Sequence, residues 1–225
     1  MKKPRLNLQM AKVFDTAYPK CVGTRGGCGE GRVTIHKASG HVPRGFFGAA
    51  GKLSEIELVL VVAEPGDPSA DEIAVDLESV YQLVTSVFDP ESGTTRNGVF
   101  HKNVRLILDM CFPKTDFEEQ LRKVWFTESV LCSAPKTTGP VARQVSDECG
   151  NRFLRQQLEL VPNAIIAALG SKAQARVRRL GLTTAGKPRL VIPAFAAAPP
   201  GAQVHRKKAE ASWKEIAKAV HTRRA

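Results

Sequence analysis

The sequence predicts an α/β fold: a three-layer α/β/α sandwich around a central, mainly parallel four-stranded sheet. Three observations carry that expectation. Short apolar runs recur at 57–63, 124–131, 163–169 and 188–197. The segments between them repeat apolar residues at three- and four-residue steps, the period of an amphipathic helix. And 57–63 (ELVLVVA) is continuously apolar and β-branched rather than alternating, as in a strand buried on both faces.

Residues 1–20 read as an arm or weak first helix, and 21–51 as an irregular, glycine-dense connection with one short strand at 32–35. The first long strand ends at Glu64-Pro65-Gly66-Asp67-Pro68. A helix over 69–87 follows, with Ile73, Val75, Leu77, Val80, Leu83 and Val84 on its apolar face. A second helix spans 100–111, then the strand at 124–131. Pro140 opens a helix over 141–160, since its fixed φ suits a first turn. The strand at 163–169 passes through Gly170-Ser171 into a helix reaching Leu180. After the strand at 188–197 the tail from Gln203 is helical, with Trp213, Ile216, Ala217 and Val220 on one face. In such a sheet the ligand site lies at the strands' carboxyl ends, so the loops at 64–68, 132–140, 170–171 and 198–206 matter most.

Composition narrows the class. The 225 residues are 43% hydrophobic and 24% charged, which excludes disorder and fibrous repeats and fits one domain with a sizeable core. The apolar run at 58–63 falls far short of the ~20 residues of a spanning helix. Asn7, Gln9 and Lys12 interrupt any secretory signal. The expectation is a soluble, cytoplasmic, single-domain monomer. The net charge of +11 is unevenly placed: residues 1–170 balance 20 basic against 20 acidic side chains, whereas 171–225 carry 13 basic and 2 acidic. A basic excess gathered in one quarter of the chain suggests a polyanionic partner such as DNA, or else a solvated tail.

Several segments in order resemble the uracil-DNA glycosylase superfamily, especially its iron–sulfur-containing branch, over roughly residues 20–206. They are Val61-Val62-Ala63-Glu64-Pro65-Gly66; Gly98-Val99-Phe100; the strand 126–131 running into Cys132; Cys149 followed by Pro162-Asn163-Ala164-Ile165-Ile166-Ala167-Ala168-Leu169-Gly170; and Ala198-Pro199-Pro200-Gly201. The resemblance implies a monofunctional DNA glycosylase of base excision repair, removing uracil or another deaminated or damaged base. Glu64 would act on water or the sugar cation, Pro65, Gly66 and Asp67 would border the flipped nucleotide, and Phe100 would stack on its base. Pro199, Pro200 and Gly201 would press on the DNA, with His205, Arg206, Lys207 and Lys208 facing phosphates.

The resemblance also implies four thiolate ligands, Cys21, Cys28, Cys132 and Cys149, for a 4Fe–4S cluster; zinc is the second occupant such ligands suit, and unrelated buried thiols the plain alternative. Six residues lie between Cys21 and Cys28, where the family has two. Cys111, between Met110 and Phe112, reads as a core thiol. Two positions depart from the pattern. Glu128 stands where the family reads the base with asparagine, and an ionised carboxylate accepts without donating. Ala198 stands where the family has a histidine. Two rivals therefore stay open: a non-catalytic DNA-binding protein on the same fold, and an unrelated α/β enzyme with a nucleotide at the Gly170-Ser171 helix start, although no P-loop or G-x-G-x-x-G is present.

Overall fold

The computed structural model describes residues 4–18, 33, 35, 37–70, 72–74, 76–93, 98–136 and 139–224. Within them the chain forms a mixed α/β sandwich on a five-stranded, mainly parallel sheet. In chain order the elements are α1 (Leu8–Val13), β1 (Phe47–Gly48), β2 (Leu58–Val62), α2 (Leu77–Phe88), α3 (Val99–Cys111), α4 (Phe117–Lys123) and β3 (Val124–Glu128). Then come α5 (Arg143–Cys149), α6 (Arg155–Glu159), β4 (Ile165–Leu169), α7 (Ser171–Arg179), the two-residue hairpin strands β5 (Thr183–Thr184) and β6 (Lys187–Pro188), β7 (Val191–Ala194), α8 (Gly201–Val204) and α9 (Arg206–Arg224).

The sheet order is β1-β3-β2-β4-β7. The four expected strands are the parallel ones, with Val62 opposite Glu128 across β2 and β3 and Leu60 opposite Ala167 across β2 and β4. The fifth, β1, is antiparallel and sets Phe47 opposite Phe126. It escapes sequence reading because two residues among glycines carry no period. The expected strand at 32–35 lies mostly outside the described residues.

Alternation sorts the strands' side chains between two cores. Val59, Val61, Trp125, Ile166 and Ala168 pack under α1, α5, α6 and α7, with Leu154, Leu158, Ala173 and Val177. Leu58, Leu60, Phe126, Ala167 and Leu169 pack under α3 and α9, with Val104, Ile107, Leu108, Trp213, Ile216 and Val220. Fully burying each large aliphatic or aromatic side chain contributes about 1.5–3 kcal/mol, so this two-sided burial is the main source of the fold's stability. Trp213 also donates its indole N–H to Phe195 O at 3.0 Å, which locks α9 to the loop after β7.

Several boundaries move. The helix expected from 69 starts at Leu77, because Asp76 accepts from Ser79 N at 2.8 Å in a capping box that defines a stronger start. Ile73 consequently stands exposed rather than in the apolar stripe. The strand expected at 124–131 ends at Glu128, as the chain turns to bond Ser129 N and Val130 N to Val62 O and Ala63 O. The helix over 141–160 is broken into α5 and α6 by a wide π turn at Gly150–Leu154. The last strand shortens to Val191–Ala194. Helix α4 was not expected; Asp116 caps it by accepting from Glu119 N at 2.7 Å.

Candidate active site

The carboxyl ends of the parallel strands enclose a cleft of about 460 Å³, inside the usual range of about 300–1,000 Å³ for small-molecule sites. It lies where connections from neighbouring strands diverge, β2 leading toward α2 and α3 and β4 leading to α7 on the opposite face of the sheet. Such a switch point is where open α/β sheets bind ligands. Glu64, Pro65, Gly66, Asp67, Phe100, Glu128 and Ala198 all line it, together with Arg44, Phe88, His101, Phe126 and Leu169. Seven positions singled out in the sequence, spread over 135 residues, thus meet at one place.

Glu64 is the most tightly held of them. Its side chain is 8% exposed, and both carboxylate oxygens face cations of α7: Lys172 contacts Oε1, and Arg176 lies 2.5 Å from Oε2. These cations are four residues apart, one turn of helix, so both reach the same acid. Arg176 also donates to Ala63 O at 2.8 Å and Ser129 Oγ at 3.1 Å. The turn itself is fixed through Gly66 O, which accepts from Arg44 and from Ser133 Oγ, the latter at 2.9 Å. Nothing approaches a Cβ built on Gly66, so its backbone is open to a ligand. Asp67 meets His41 Nε2 at 3.3 Å.

Glu128 is held differently. It is 5% exposed, and its Oε2 has no hydrogen-bond partner among the described residues. Burial, and next the Glu64 carboxylate, push its carboxyl well above the usual carboxylate range, against the opposing pull of Arg44 and Arg176. Gly45 makes room for it: a Cβ there would sit 2.4 Å from Glu128 Cγ, and the φ of +85° there favours glycine. Phe100 borders the cleft from the first turn of α3, held edge-on to Phe88 and Phe126 with ring centres 6.1 and 6.2 Å apart. It belongs to an aromatic cluster and to the cleft wall at once.

The last loop is less engaged. Ala198 lines the cleft, but Pro199 and Pro200 are exposed on its rim and Gly201 opens the single turn of α8. His205 is exposed outside the cleft lining, its ring 6.0 Å from that of Phe195. Arg206 donates to Asn103 Oδ1 at 2.6 Å and pairs with Glu210, while Asn103 holds Ala197 O at 2.7 Å. Its first role is therefore to brace the loop. Other charges of the basic quarter are likewise committed: Arg179 to Asp147, Arg224 to Glu57, and Arg189 to three carbonyls at 158, 161 and 164. Lys207, Lys208, Lys214 and Lys218 stay exposed along α9.

Of the four expected thiolate ligands, Cys21 and Cys28 lie outside the described residues. Cys132 and Cys149 are buried and line one small cavity with Val33, Pro43 and Phe153. Tyr18 donates its hydroxyl to Pro43 O at 2.7 Å, and burial and then the Cys132 thiolate raise its phenol above the usual range. Val33 lines this cavity, and Tyr18 is tied to its wall through Pro43 O. Among the described residues no group of three or more His, Cys, Asp or Glu side chains could hold a metal ion. Cys111 is a core thiol, pushed up to about 12 by burial.

Sequence reading missed Arg44, His101, Lys172 and Arg176. Only the last two had a signal, their four-residue spacing at a helix start beside a strand-end acid.

No protein-family model matches the chain. A curated protein that it resembles is the 1-phosphatidylinositol 4,5-bisphosphate phosphodiesterase eta-1 of Mus musculus, 27% identical over 115 residues. The match covers 51% of this chain and 6% of that protein's length. Among the described residues no helix is long and apolar enough to cross a membrane.

Proposed function

We propose that the chain is a DNA glycosylase of the uracil-DNA glycosylase type, hydrolysing the N-glycosidic bond of uracil or another deaminated or damaged base. The observation that carries this reading is the convergence of Glu64, Gly66, Phe100 and Glu128 in one cleft at the switch point of the sheet. A flipped nucleotide would enter with its base between Phe100 and Glu128 and its sugar over the Glu64 turn. Water adds to C1′ while the C1′–N bond breaks, and the bonding pair leaves with the base. Glu64, paired with Lys172 and Arg176, stabilises the cationic sugar and takes the water's proton. Exposed Lys207 and Lys208, just past the cleft rim, would meet DNA phosphates.

The thiols fit a resident 4Fe–4S cluster, or less well zinc: Cys132 and Cys149 would supply two ligands and Cys21 and Cys28 the others. Such a group would act structurally, tying the glycine-rich segment to α5 and to the loop after β3.

The test is excision from oligonucleotides carrying uracil, hypoxanthine, xanthine or 5-hydroxymethyluracil, followed by alkaline cleavage of abasic sites. Glu64→Gln should lower the rate by about 10²–10⁴-fold if Glu64 acts on the proton. Unchanged excision in that variant would remove Glu64 from the chemistry. The pairing of Glu64 with two cations also favours a second reading, a DNA-binding protein that has lost hydrolysis. That reading requires salt-sensitive binding and no abasic product from any base in the panel.

A further inference from the structure

Glu128 and the apolar wall around it define the kind of ligand edge the cleft can hold. The side chain projects from the end of β3 between Phe126 and the Gly45 backbone, with Val62, Phe88, Phe100 and Leu169 around the same cavity. Its Oε2 is buried without a hydrogen-bond partner. An unsatisfied buried oxygen of this kind costs about 1–3 kcal/mol, more if charged, which a matching ligand group would recover. The groups that face it are Glu64 from the turn after β2, Arg44 from the segment before β1, and Arg176 from α7. His101, Asp67 and Glu72 line the cleft further out.

We propose that Glu128 presents a neutral carboxylic acid to the cleft and pairs with a ligand edge carrying a carbonyl oxygen beside an N–H, the cis-lactam edge of uracil or hypoxanthine. This rests on the reading of the cleft as a base pocket. The acid's O–H donates to the ligand carbonyl while its C=O accepts from the ring N–H, which is the donor–acceptor pair an amide would offer. A carboxylate would instead put two acceptors against that carbonyl and repel it. The guanidiniums of Arg44 and Arg176 favour a carbonyl oxygen at this edge over the amino group of cytosine or adenine. The position that departs most from the amide of the resembling family thus supplies the same hydrogen-bond pattern by keeping its proton.

Two measurements on the whole protein test this. Infrared difference spectra between wild type and Glu128→Gln at pH 7 should contain the carbonyl band of a protonated carboxylic acid. Free uracil should bind wild type with an affinity falling about tenfold per pH unit once Glu128 ionises. Glu128→Gln should hold that affinity flat until uracil itself ionises, and Glu128→Met should lose it at least tenfold at every pH. A carboxylate band at pH 7, equal uracil affinity in Glu128→Met, or cytosine bound as well as uracil would each overturn the inference. The outcome is separable from that of the hydrolysis reading. Uracil binding with this pH profile but no base release from DNA keeps the acid and sinks the glycosylase. Base release that ignores Glu128→Met does the reverse.

Discussion

β2 and β3 end side by side, with Val62 opposite Glu128, and each delivers a carboxylate to the same cleft. The two acids are almost equally buried, yet their surroundings differ in kind. Beyond β2, Glu64 sits between Lys172 and Arg176. At the end of β3, Glu128 has an apolar wall, a glycine backbone and no ion pair among the described residues; Oε2 of each acid lacks a hydrogen bond among them, but that of Glu64 lies 2.5 Å from Arg176. Burial alone therefore does not fix the charge of a side chain; what is buried with it does. One pocket in this way surrounds two acids differently, one ion-paired and one walled by apolar side chains.

The largest blow to this contrast comes from Arg176→Ala. The arginine is 7% exposed and holds Glu64, Ala63 O and Ser129 Oγ together. Its loss leaves a buried carboxylate with only the exposed Lys172, and breaking such a pair costs about 3–5 kcal/mol. Denaturant unfolding should register that loss, and Arg176→Lys should recover part of it by restoring the charge without the fork. A change below about 1 kcal/mol would mean that solvent reaches Glu64 freely.

Glu128→Gln sharpens the contrast from the other side, and its sign is opposite. The unfolded chain ionises Glu128 near the ordinary glutamate value of 4.5, whereas the folded chain keeps the proton to a much higher pH. Between those two points the folded state binds the extra proton, so stability falls as pH rises, by about 1.4 kcal/mol per unit from this group. Glutamine has no proton to lose. The variant should therefore match wild type near pH 4.5 and exceed it progressively toward neutrality. Asp76 and Asp147, whose carboxyls are lowered by their hydrogen bonds, act in the opposite direction in both proteins and cancel in the difference. Parallel stability curves for the two proteins would show that Glu128 is ionised in the fold.

These two acids also mark how far the sequence could be read. The four parallel strands were legible because burial on both faces leaves continuous β-branched runs such as 57–63. The position of the site was legible because a parallel sheet sends its loops to one end. Glu64 and Glu128 could be picked out at strand ends, but their surroundings could not, since Arg44, Lys172 and Arg176 reach them from segments 48 to 112 residues away. The apolar spacing of Ile73 and Val75 drew the expected helix back to 69, whereas the capping box at Asp76 starts it at Leu77, a case where terminal hydrogen bonds win over period. Strand β1 left no trace at all, because its two residues are held by pairing with β3 rather than by any pattern of their own. The charge of the last quarter was counted correctly, but part of it is committed within the fold: Arg176 is buried against Glu64 and Arg189 bonds to backbone carbonyls.

The smallest effect, and the one that bears most on function, is expected from Lys172→Ala. Lys172 is 42% exposed, so its pair with Glu64 is screened by water and contributes at most about 1 kcal/mol to stability. On the proposed reading it has a second use. A DNA phosphate arriving over the Glu64 turn would compete for the ammonium, while Arg176, anchored by two further hydrogen bonds, would stay with the acid. Lys172→Ala should then unfold almost like wild type, while binding to duplex DNA weakens and the slope of log affinity against log salt falls by about 1. An unchanged slope would confine Lys172 to the acid and leave phosphate contacts to Lys207 and Lys208 on α9. The cations around Glu64 would then serve only to hold its charge, which is the role Glu128 does without.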